Sequence, residues 1–368
     1  MSLMIAELET PVPVVDLDRL ARNLDQAAEY ATAHGLSLRP HIKTHKSPRI
    51  ASEQLRRGAV GLTCATAFEA EVMSGVCNDL LVAYPPVGMR RAARLAALPP
   101  SVTLTVALDS LAAIEDAAAA AREANRPVRV YIELDLGMHR VGVPKLDDAI
   151  ALAKAVVARP PLEFAGIAFY PGHVRDQVDA QSAKLESLSA AVQGAINAFD
   201  RAGVRPSIVS GGSTPTLWRT HEIEGVTEFR PGTYVYNDRT TAEIGACGWD
   251  DCAFTVLATV VSTAVPNQAV IDAGSKALGR EPMRGVEGEG FGCVMNHREV
   301  VVKGMSEEHG ILDLSNTSWK PAVGEKVRII PNHVCVVVHL NDVIAGVRGD
   351  SVETSWPVSA RGRGYVIP

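Results

Sequence analysis

The first residues that could do chemistry lie in the segment RPHIKTHKS, where Lys43 stands among His41, His45 and Lys46. A lysine crowded by other cations has a lowered pKa, because the neighbouring charges disfavour its protonation. The neutral amine that results can form a Schiff base with a carbonyl group. Taken alone, KTHK is also typical of a solvated basic loop. Lys43 is therefore a catalytic candidate that needs support from other residues.

Two glycine-rich segments could bind an anion. One is SGGSTPT, which includes Ser213 and Thr214, and the other is FRPGTYVYND, which includes Gly232 and Thr233. Small and hydroxylated residues present backbone N–H groups and hydroxyls to an anion, and glycine lets the main chain approach closely. Either segment alone could be an ordinary turn. The first follows the apolar run Ser207–Ser210 and the second follows Val226–Arg230, which are the seventh and eighth strands of the barrel predicted below. Barrel enzymes frequently bind phosphate in the loops after these two strands.

Two further strand ends carry polar or aromatic residues. Arg140, in ELDLGMHRVGV, could donate hydrogen bonds to an anionic oxygen, although a surface ion pair is the ordinary alternative. Tyr170, in the segment YPGH that ends at His173, could hold a planar ring or could simply be an aromatic residue of the barrel rim. Neither residue decides the function by itself.

The segment PNHVCVVVHLND contains His333 and Cys335, which would share one face of a β-strand because side chains alternate along it. An imidazole and a thiolate side by side suit Zn²⁺ or a related divalent ion. With only two protein ligands the site would be open and catalytic. A coincidental pair on a strand is the alternative, and His309 could support the site from further out.

The elements that must position these residues alternate between apolar runs and Ala-rich helices. This alternation predicts a closed parallel (β/α)8 barrel of the TIM type, with an open doubly wound sheet as the alternative. The predicted strands are Leu36–Lys43, Ala59–Cys64, Leu80–Tyr84, Val102–Leu108, Val128–Leu134, Phe164–Tyr170, Ser207–Ser210 and Val226–Arg230. The predicted helices are Asp18–Ala33, Thr66–Ser74, Ser110–Asn125, Leu146–Val157 and Asp179–Ala202.

After residue 245 the helical pattern gives way to β-rich segments. These segments are Phe254–Val265, Ala269–Asp272, Lys326–Ile330 and Val334–Leu340. We predict a barrel over residues 18–245 and a β-domain over residues 246–368. The opening strand Val12–Leu17 precedes the first barrel helix and is expected to pair with the β-domain.

Composition narrows the class of protein. Of the 368 residues, 47% are hydrophobic and 21% are charged, which suits a globular enzyme. The net charge is −6, and acidic and basic residues are interspersed along the chain. Nucleic acid is an unexpected partner because phosphate binding needs a concentrated basic face. The sequence contains no run of 18 apolar residues, so no membrane span is predicted. The six cysteines lack paired spacing, which predicts reduced thiols in a cytoplasmic protein.

Together these segments resemble the fold-type III pyridoxal-phosphate (PLP) enzymes, and specifically the D-threonine aldolase and D-serine dehydratase family, whose barrel is alanine racemase-like. The matching pieces cover nearly the whole chain. They are TPVPVVDLDRLARNL, RPHIKTHKS, ELDLGMHRVGV, SGGSTPT, RPGTYVYND, SEEHG and PNHVC.

The resemblance implies a role for each candidate. Lys43 would form the Schiff base with pyridoxal 5'-phosphate, Arg140 would bond its phenolic oxygen, and Tyr170 would contact its ring. Arg230 would approach the phosphate or the pyridine nitrogen. The residues implied to bind phosphate are Ser213, Thr214, Gly232 and Thr233. His333 and Cys335 would hold a divalent metal, Zn²⁺, Mn²⁺ or Mg²⁺, beside the substrate's β-hydroxyl.

Within this resemblance the reaction has two readings. D-threonine aldolase activity would cleave a small D-3-hydroxy-amino acid to glycine and an aldehyde, and dehydratase activity would release ammonia and a 2-keto acid. Cysteine as the second metal ligand resembles the dehydratases, whereas the C-terminal tail resembles the aldolases. Some aldolases carry a histidine where this chain has Asp176, so His173 is the expected base. We favour the aldolase.

Other classes remain as alternatives. Small PLP-binding barrel proteins act without turnover but typically lack a β-domain and a metal pair. An amino-acid racemase would use a second acid or base and would not need His333 and Cys335. The resemblance also implies a head-to-tail homodimer.

Overall fold

In the computed structural model, which describes residues 3–284 and 289–364, eight parallel strands form the first sheet. They are β2 Ser37–Leu38, β3 Leu62–Cys64, β4 Asp79–Val82, β5 Thr103–Leu108, β6 Val128–Leu134, β7 Leu162–Phe169, β8 Ile208–Gly211 and β9 Glu228–Phe229. Their order is β2-β9-β8-β7-β6-β5-β4-β3. A parallel bridge between His41 and Thr63 joins the two end strands and closes the barrel. The predicted fold class is confirmed.

Helices connect these strands and cover the barrel. They are α1 Leu17–Ala33, α2 Pro48–Arg56, α3 Ala67–Met73, α4 Met89–Ala96, α5 Leu111–Glu123, α6 Leu146–Val157 and α7 Ser182–Arg201. Local sequence explains where several begin. Asp16, Thr66 and Ser110 accept backbone hydrogen bonds at the starts of α1, α3 and α5, as these side chains do at helix N-termini. Two of the seven helices, α2 and α4, were not among the predicted helices.

The second sheet belongs mostly to the C-terminal part of the chain. Its strands are β1 Val12–Asp16, β10 Phe254–Ser262, β11 Gln268–Ile271, β12 Gly292–Val294, β13 His297–Met305, β14 Gly310–Asp313, β15 Lys326–Pro331, β16 Val343–Arg348 and β17 Ser351–Pro357. The order is β11-β14-β13-β12-β15-β10-β1-β16-β17, and β11 also pairs with β10, which closes part of the sheet into an antiparallel barrel. β1 lies between β10 and β16.

Three short helices complete the described chain: α8 Arg239–Glu243, α9 Ser275–Leu278 and α10 Val334–Leu340. The third corrects the sequence analysis, which predicted a strand over Val334–Leu340 because the segment is rich in valine. The Asp238 carboxylate accepts a hydrogen bond from the Val334 N–H at 3.1 Å, which caps the helix. This tertiary contact outweighs the strand preference of branched side chains.

The core has two main parts. One lies in the barrel, between its strands and helices, and includes Phe169 and Phe199. The other lies where α1 and the second sheet meet, and includes Phe254, Ile329 and Trp356. Among the helices of the described residues, none has both the length and the apolar character that crossing a bilayer requires.

Candidate active site

Lys43, Arg140 and Tyr170 converge at the carboxyl ends of the barrel strands. Lys43 lies in the turn after His41, Arg140 in the loop after β6, and Tyr170 directly after β7. The Lys43 Nζ is 5.6 Å from the centroid of the Tyr170 ring, and the Arg140 Cζ is 5.0 Å from it. The sequence placed these residues on three separate strand ends, and the barrel brings an amine, a guanidinium and an aromatic ring together.

The neighbours of Lys43 differ from those that the sequence argument used. Burial lowers the pKa of His45 to about 3 and holds the pKa of His41 well below its ordinary value, so both imidazoles are neutral. Lys46 is buried and forms an ion pair with Glu69. His45 exchanges a hydrogen bond with Gln54 at 3.2 Å and belongs to the wall of the barrel. The predicted crowd of cations in RPHIKTHKS is thus absent, because burial favours neutral or paired groups.

The two glycine-rich loops touch each other. The Tyr234 N–H donates to Thr214 Oγ1 at 3.2 Å, which ties the loop after β9 to the loop after β8. Ser213 braces its own loop, because its N–H donates to Thr216 Oγ1 at 3.2 Å. Across residues 3–284 and 289–364, the amide N–H groups of Thr214, Gly232 and Thr233 donate to no protein acceptor. Unused amides at adjoining loops are suited to binding an anion.

Gly232 also meets a steric requirement. A Cβ at this position would lie 3.0 Å from Thr44 Oγ1 and 3.1 Å from the His41 carbonyl oxygen. Any larger residue would therefore press against the turn that carries Lys43. The loop that contains Gly232, a candidate phosphate-binding loop, is therefore in direct contact with the turn that carries Lys43.

Arg230 is held beneath the mouth by a buried polar network. Its guanidinium donates to Ser210 Oγ at 2.5 Å and to the Phe169 carbonyl oxygen at 2.8 Å. Ser210 Oγ in turn donates to Glu228 at 2.6 Å, and Arg39 Nε donates to the same carboxylate at 2.6 Å. Sequence reasoning missed Glu228 and Arg39, which are distant from each other in the chain and become partners only when β2 pairs with β9.

His173 contributes a neutral imidazole to the same rim. Its ring packs on Gly137, where a Cβ would lie 3.0 Å from the His173 Nε2. Burial lowers the pKa of His173, and the charge of Lys184 adds to this shift, so the ring is uncharged at neutral pH. Its Nδ1 is buried and has no hydrogen-bond partner among the described residues. Asp176, the other residue considered as a base position, instead forms an ion pair with Lys184 at 2.6 Å.

His333 and Cys335 lie side by side, although not on a strand. His333 is extended immediately before α10, and Cys335 lies in its first turn. Burial opposes a charge on His333, but the Cys335 thiolate and the Asp238 carboxylate raise its pKa to about 10. Burial also opposes a thiolate at Cys335, but the charge of His333 lowers the pKa of Cys335 to about 7. The pair therefore favours the thiolate, the form of cysteine that binds metals.

Asp238 orients this pair and was missed by sequence reasoning. Its Oδ2 accepts hydrogen bonds from His333 Nδ1 and from the Val334 N–H, both at 3.1 Å. Its Oδ1 accepts from the Thr241 N–H at 2.9 Å and so caps α8. The sequence signal, Asp followed three residues later by Thr, could have predicted the helix start but not the contact with His333.

His333 and Cys335 lie at the same end of the barrel as Lys43. Cys335 Sγ is 3.1 Å from Thr44 Oγ1 and 3.9 Å from Thr233 Oγ1. Within one chain, the second domain therefore reaches the residue next to Lys43. His309 does not join them: it is exposed in the turn between β13 and β14. No cluster of three or more His, Cys, Asp or Glu side chains suited to a metal occurs in the described ranges.

Comparison with known proteins defines the class first. Residues 15–240 match the alanine racemase N-terminal domain, and residues 253–347 match the putative serine dehydratase domain. Fold and matches together define a fold-type III PLP enzyme. The chain belongs to the family that contains D-threonine aldolase, 3-hydroxy-D-aspartate aldolase and D-threo-3-hydroxyaspartate dehydratase, which are PLP-dependent lyases. The predicted family and enzyme class are confirmed.

Three relatives illustrate the similarity. The chain is 34% identical to 3-hydroxy-D-aspartate aldolase from Paracoccus denitrificans (strain Pd 1222), over 98% of this chain and 94% of that one. It is 34% identical to D-threo-3-hydroxyaspartate dehydratase from Delftia sp. (strain HT23), over 89% and 91%. D-threonine aldolase from Filomicrobium marinum has a TM-score of 0.90 at 32% identity, over 98% of both chains. A D-threo-3-hydroxyaspartate dehydratase with a cysteine-to-alanine substitution has been solved in a metal-free form.

The residues present fit the cofactors of this family. Free amides at Thr214, Gly232 and Thr233 suit a phosphate group, and the Tyr170 ring next to Lys43 suits a pyridine ring bound through its aldehyde. The thiolate and imidazole of Cys335 and His333 provide soft and borderline donors for a divalent ion.

Proposed function

We propose that this chain is a PLP- and divalent-metal-dependent lyase that cleaves small D-3-hydroxy-amino acids to glycine and an aldehyde. The observation that carries the proposal is the 3.1 Å contact between Cys335 and Thr44. It supports the proposal because it brings Cys335, one of the two candidate metal ligands, next to the residue that follows Lys43, the candidate Schiff-base lysine. A substrate whose α-amino group reaches Lys43 can then present its β-hydroxyl to His333 and Cys335.

Each candidate side chain has a separate role in binding PLP. Lys43 would hold the cofactor aldehyde, Tyr170 would support its ring, and Arg140 would neutralise its phenolic oxygen. The loops that contain Ser213, Thr214, Gly232 and Thr233 would bind the phosphate, with Arg230 beneath them. When bound, PLP supplies an electron sink for charge at the substrate's Cα, and the divalent ion lowers the pKa of the β-hydroxyl.

His173 is the base in the aldolase reaction. A neutral imidazole can accept the β-hydroxyl proton, and the lowered pKa of His173 keeps it neutral over the physiological range. The rate should therefore fall only when the pH drops below the ordinary histidine pKa. We expect His173→Gln to lower kcat by about 10²–10⁴-fold, the usual contribution of a general base, and to abolish this acidic limb. Steady-state pH profiles of both proteins provide the measurement, with His309→Gln, an exposed histidine, as control; an unchanged limb in His173→Gln would assign the base elsewhere.

A dehydratase is the second candidate, and the metal pair is the observation that favours it. A dehydratase of this family has been solved as a cysteine-to-alanine variant in a metal-free form, and the candidate metal ligands of this chain also include a cysteine, Cys335. In this reading Lys43 removes the α-proton, and the metal-binding pair assists departure of the β-hydroxyl as water after protonation. The enamine that elimination releases tautomerises to an imine, and one water hydrolyses this imine to ammonia and a 2-keto acid.

Product analysis distinguishes the two reactions. Purified protein supplied with PLP and Mn²⁺ is incubated separately with D-threonine, D-serine and D-3-hydroxyaspartate. Glycine plus an aldehyde supports the aldolase, whereas ammonia plus a 2-keto acid supports the dehydratase. EDTA should abolish either activity, and Mn²⁺ or Zn²⁺ should restore it. Full turnover in EDTA would remove the metal from the mechanism.

The lysine is tested separately by chemical labelling. Borohydride treatment of the PLP-loaded protein, followed by peptide mapping, should place the cofactor on Lys43. Labelling of Lys46 would refute the assignment, and the buried ion pair of Lys46 with Glu69 makes it a suitable internal control.

We also propose that the chain forms a homodimer, as the family resemblance implies. Apolar side chains at the barrel mouth support this, because Tyr84, Val87 and Met89 are each 44–53% exposed. Light scattering coupled to size-exclusion chromatography should report twice the 39.1 kDa chain mass.

A further inference from the structure

Two cysteines outside the active site lie close to each other. Cys247 and Cys252 flank a single 3-10 turn at Trp249–Asp251. Cys252 is fully buried, and Cys247 packs against the same buried cluster. Their thiols donate to Thr241 Oγ1 and to the Asp238 carbonyl oxygen, two atoms that are 2.9 Å apart. Cys247 is partly exposed and lines a cavity of about 580 Å³ beside α1. One thiol of the pair is therefore open to small solutes, and the other is shielded behind it.

Both thiols also support the residue that orients His333. Cys252 Sγ donates to the Asp238 carbonyl oxygen at 3.6 Å, and Cys247 Sγ donates to Thr241 Oγ1 at 3.6 Å. Asp238 and Thr241 form the capped first turn of α8, and the Asp238 carboxylate holds His333. The two S–H groups thus brace the turn from which the carboxylate projects.

We propose that Cys247 and Cys252 are a peroxide-sensitive thiol pair whose disulfide weakens metal binding at His333. Hydrogen peroxide oxidises the accessible Cys247 thiol to a sulfenic acid and is itself reduced to water. The Cys252 sulfur then attacks the Cys247 sulfur and forms the S–S bond. The sulfenic oxygen leaves as a second water with the Cys252 proton. One peroxide and two thiols give one disulfide and two waters.

The disulfide has a defined structural consequence. It contains no S–H group, so both hydrogen bonds to the α8 turn are lost together. The Asp238 carbonyl oxygen then keeps only the hydrogen bonds from Thr241 Oγ1 and from the Ala242 N–H. The loop closed by the new bond holds only residues 248–251, and short loops add little stability to a disulfide, so a thiol reductant should reopen it.

The remaining cysteines offer competing outcomes that the experiment must separate. Cys64 and Cys77 are buried in the barrel core, far from this pair in the fold. Cys293 is buried in the same cluster as Cys252. Cys335 lies partly exposed at the mouth and can itself be oxidised, which would release metal by another route.

The full chain is oxidised with hydrogen peroxide, and the remaining free thiols are then blocked. Cleavage at Trp249 separates the two cysteines, and the resulting peptides are mapped. We expect a Cys247–Cys252 cross-link that dithiothreitol reverses. Oxidation of Cys247 without a cross-link, or a cross-link from Cys252 to Cys293, would overturn the proposal.

Binding of Mn²⁺ alone, measured by competition with a chelating dye, supplies the second readout. We expect about tenfold weaker binding after oxidation, the scale on which partners behind metal ligands act. Cys247→Ser should bind Mn²⁺ normally and resist this loss; if it loses Mn²⁺ equally, Cys335 is responsible and the inference is wrong. The metal effect rests on the proposed function. Reduced protein that binds no Mn²⁺ contradicts that function, whereas reduced protein whose binding oxidation leaves unchanged contradicts only the inference.

Discussion

At the scale of single residues, Asp238 connects the two domains more directly than any residue singled out from the sequence. It is fully buried, and its two oxygens accept from a histidine, two backbone amides and a threonine hydroxyl. A carboxylate that accepts from His333 Nδ1 keeps the proton on that nitrogen. A metal ion would then bind the other ring nitrogen and displace the proton that it carries at neutral pH.

Asp238→Asn should reverse this arrangement. The amide can donate to His333 Nδ1, which would move the ring proton to the other nitrogen and block metal binding. We expect Mn²⁺ affinity to fall by about 10–100-fold while PLP binding is retained. Dye competition and the visible absorbance of bound PLP measure the two quantities. Asp250→Asn, at a side chain that is 88% exposed, is the matched control. Equal Mn²⁺ affinity in both variants would show that Asp238 only caps helices.

At the scale of elements, the anion site depends on how tightly two loops pack. A Cβ at Gly232 would force Thr44 Oγ1 or the His41 carbonyl oxygen to shift by a few tenths of an ångström. Because its φ of −125° is accessible to other residues, the constraint is space and not backbone conformation. The glycine thus sets the distance between the phosphate-type loop and the lysine turn.

Gly232→Ala should therefore weaken PLP binding while the protein still folds. Overpacking of this kind costs about 1–3 kcal/mol. Borne by the PLP complex, this cost corresponds to an increase of about 5–150-fold in the dissociation constant. Titration of the apoprotein with PLP, followed by absorbance, gives the value. Gly194→Ala is the matched control, because it lies on the exposed face of α7 with no atom within 4 Å of the added Cβ. Unaltered PLP affinity in Gly232→Ala would show that the loops can separate without loss.

Helix α10 shows what an element's own sequence cannot decide. VCVVVHL has the composition of a strand, and the sequence analysis predicted one. The segment is a helix because Asp238, almost a hundred residues earlier, caps it. His333 and Cys335 are nevertheless adjacent, because an extended residue before the helix and the first helical turn approach each other.

At the scale of the whole molecule, buried neutral histidines make folding sensitive to acid. His45 has its pKa lowered to about 3 by burial, whereas in the unfolded chain it titrates near 6.5. Below pH 6.5, His45 is protonated in the unfolded state but stays neutral in the folded state. The contribution of His45 to stability is therefore complete above pH 6.5 and is lost progressively as the pH falls from 6.5 towards 3.

His45→Gln should flatten this dependence. The slope of the free energy of unfolding against pH should decrease by about 1.4 kcal/mol per pH unit between pH 6.5 and 4, since one titrating group is removed. Urea denaturation at several pH values measures the slope. His309→Gln changes an exposed histidine and should leave it unaltered. An identical slope in His45→Gln and the parent chain would mean that the acid sensitivity arises elsewhere.

Much of this protein follows from its sequence. The eight strands, five of the seven barrel helices and the change to β-structure near residue 250 were predicted from local hydrophobic periodicity, which needs no knowledge of distant contacts. The order of the motifs was enough to indicate the family, and Lys43, Arg140 and Tyr170 were recognisable because barrel chemistry gathers at strand ends.

Only the tertiary structure decided the rest. It neutralised His41 and His45, paired Lys46 with Glu69, joined Arg39 to Glu228 and placed Cys335 against Thr44. It also made a helix of a valine-rich segment through Asp238. The physical reason is common to all of these. Burial and hydrogen bonding act between groups that the chain separates by tens to hundreds of residues, and local patterns carry no record of which pairs will meet.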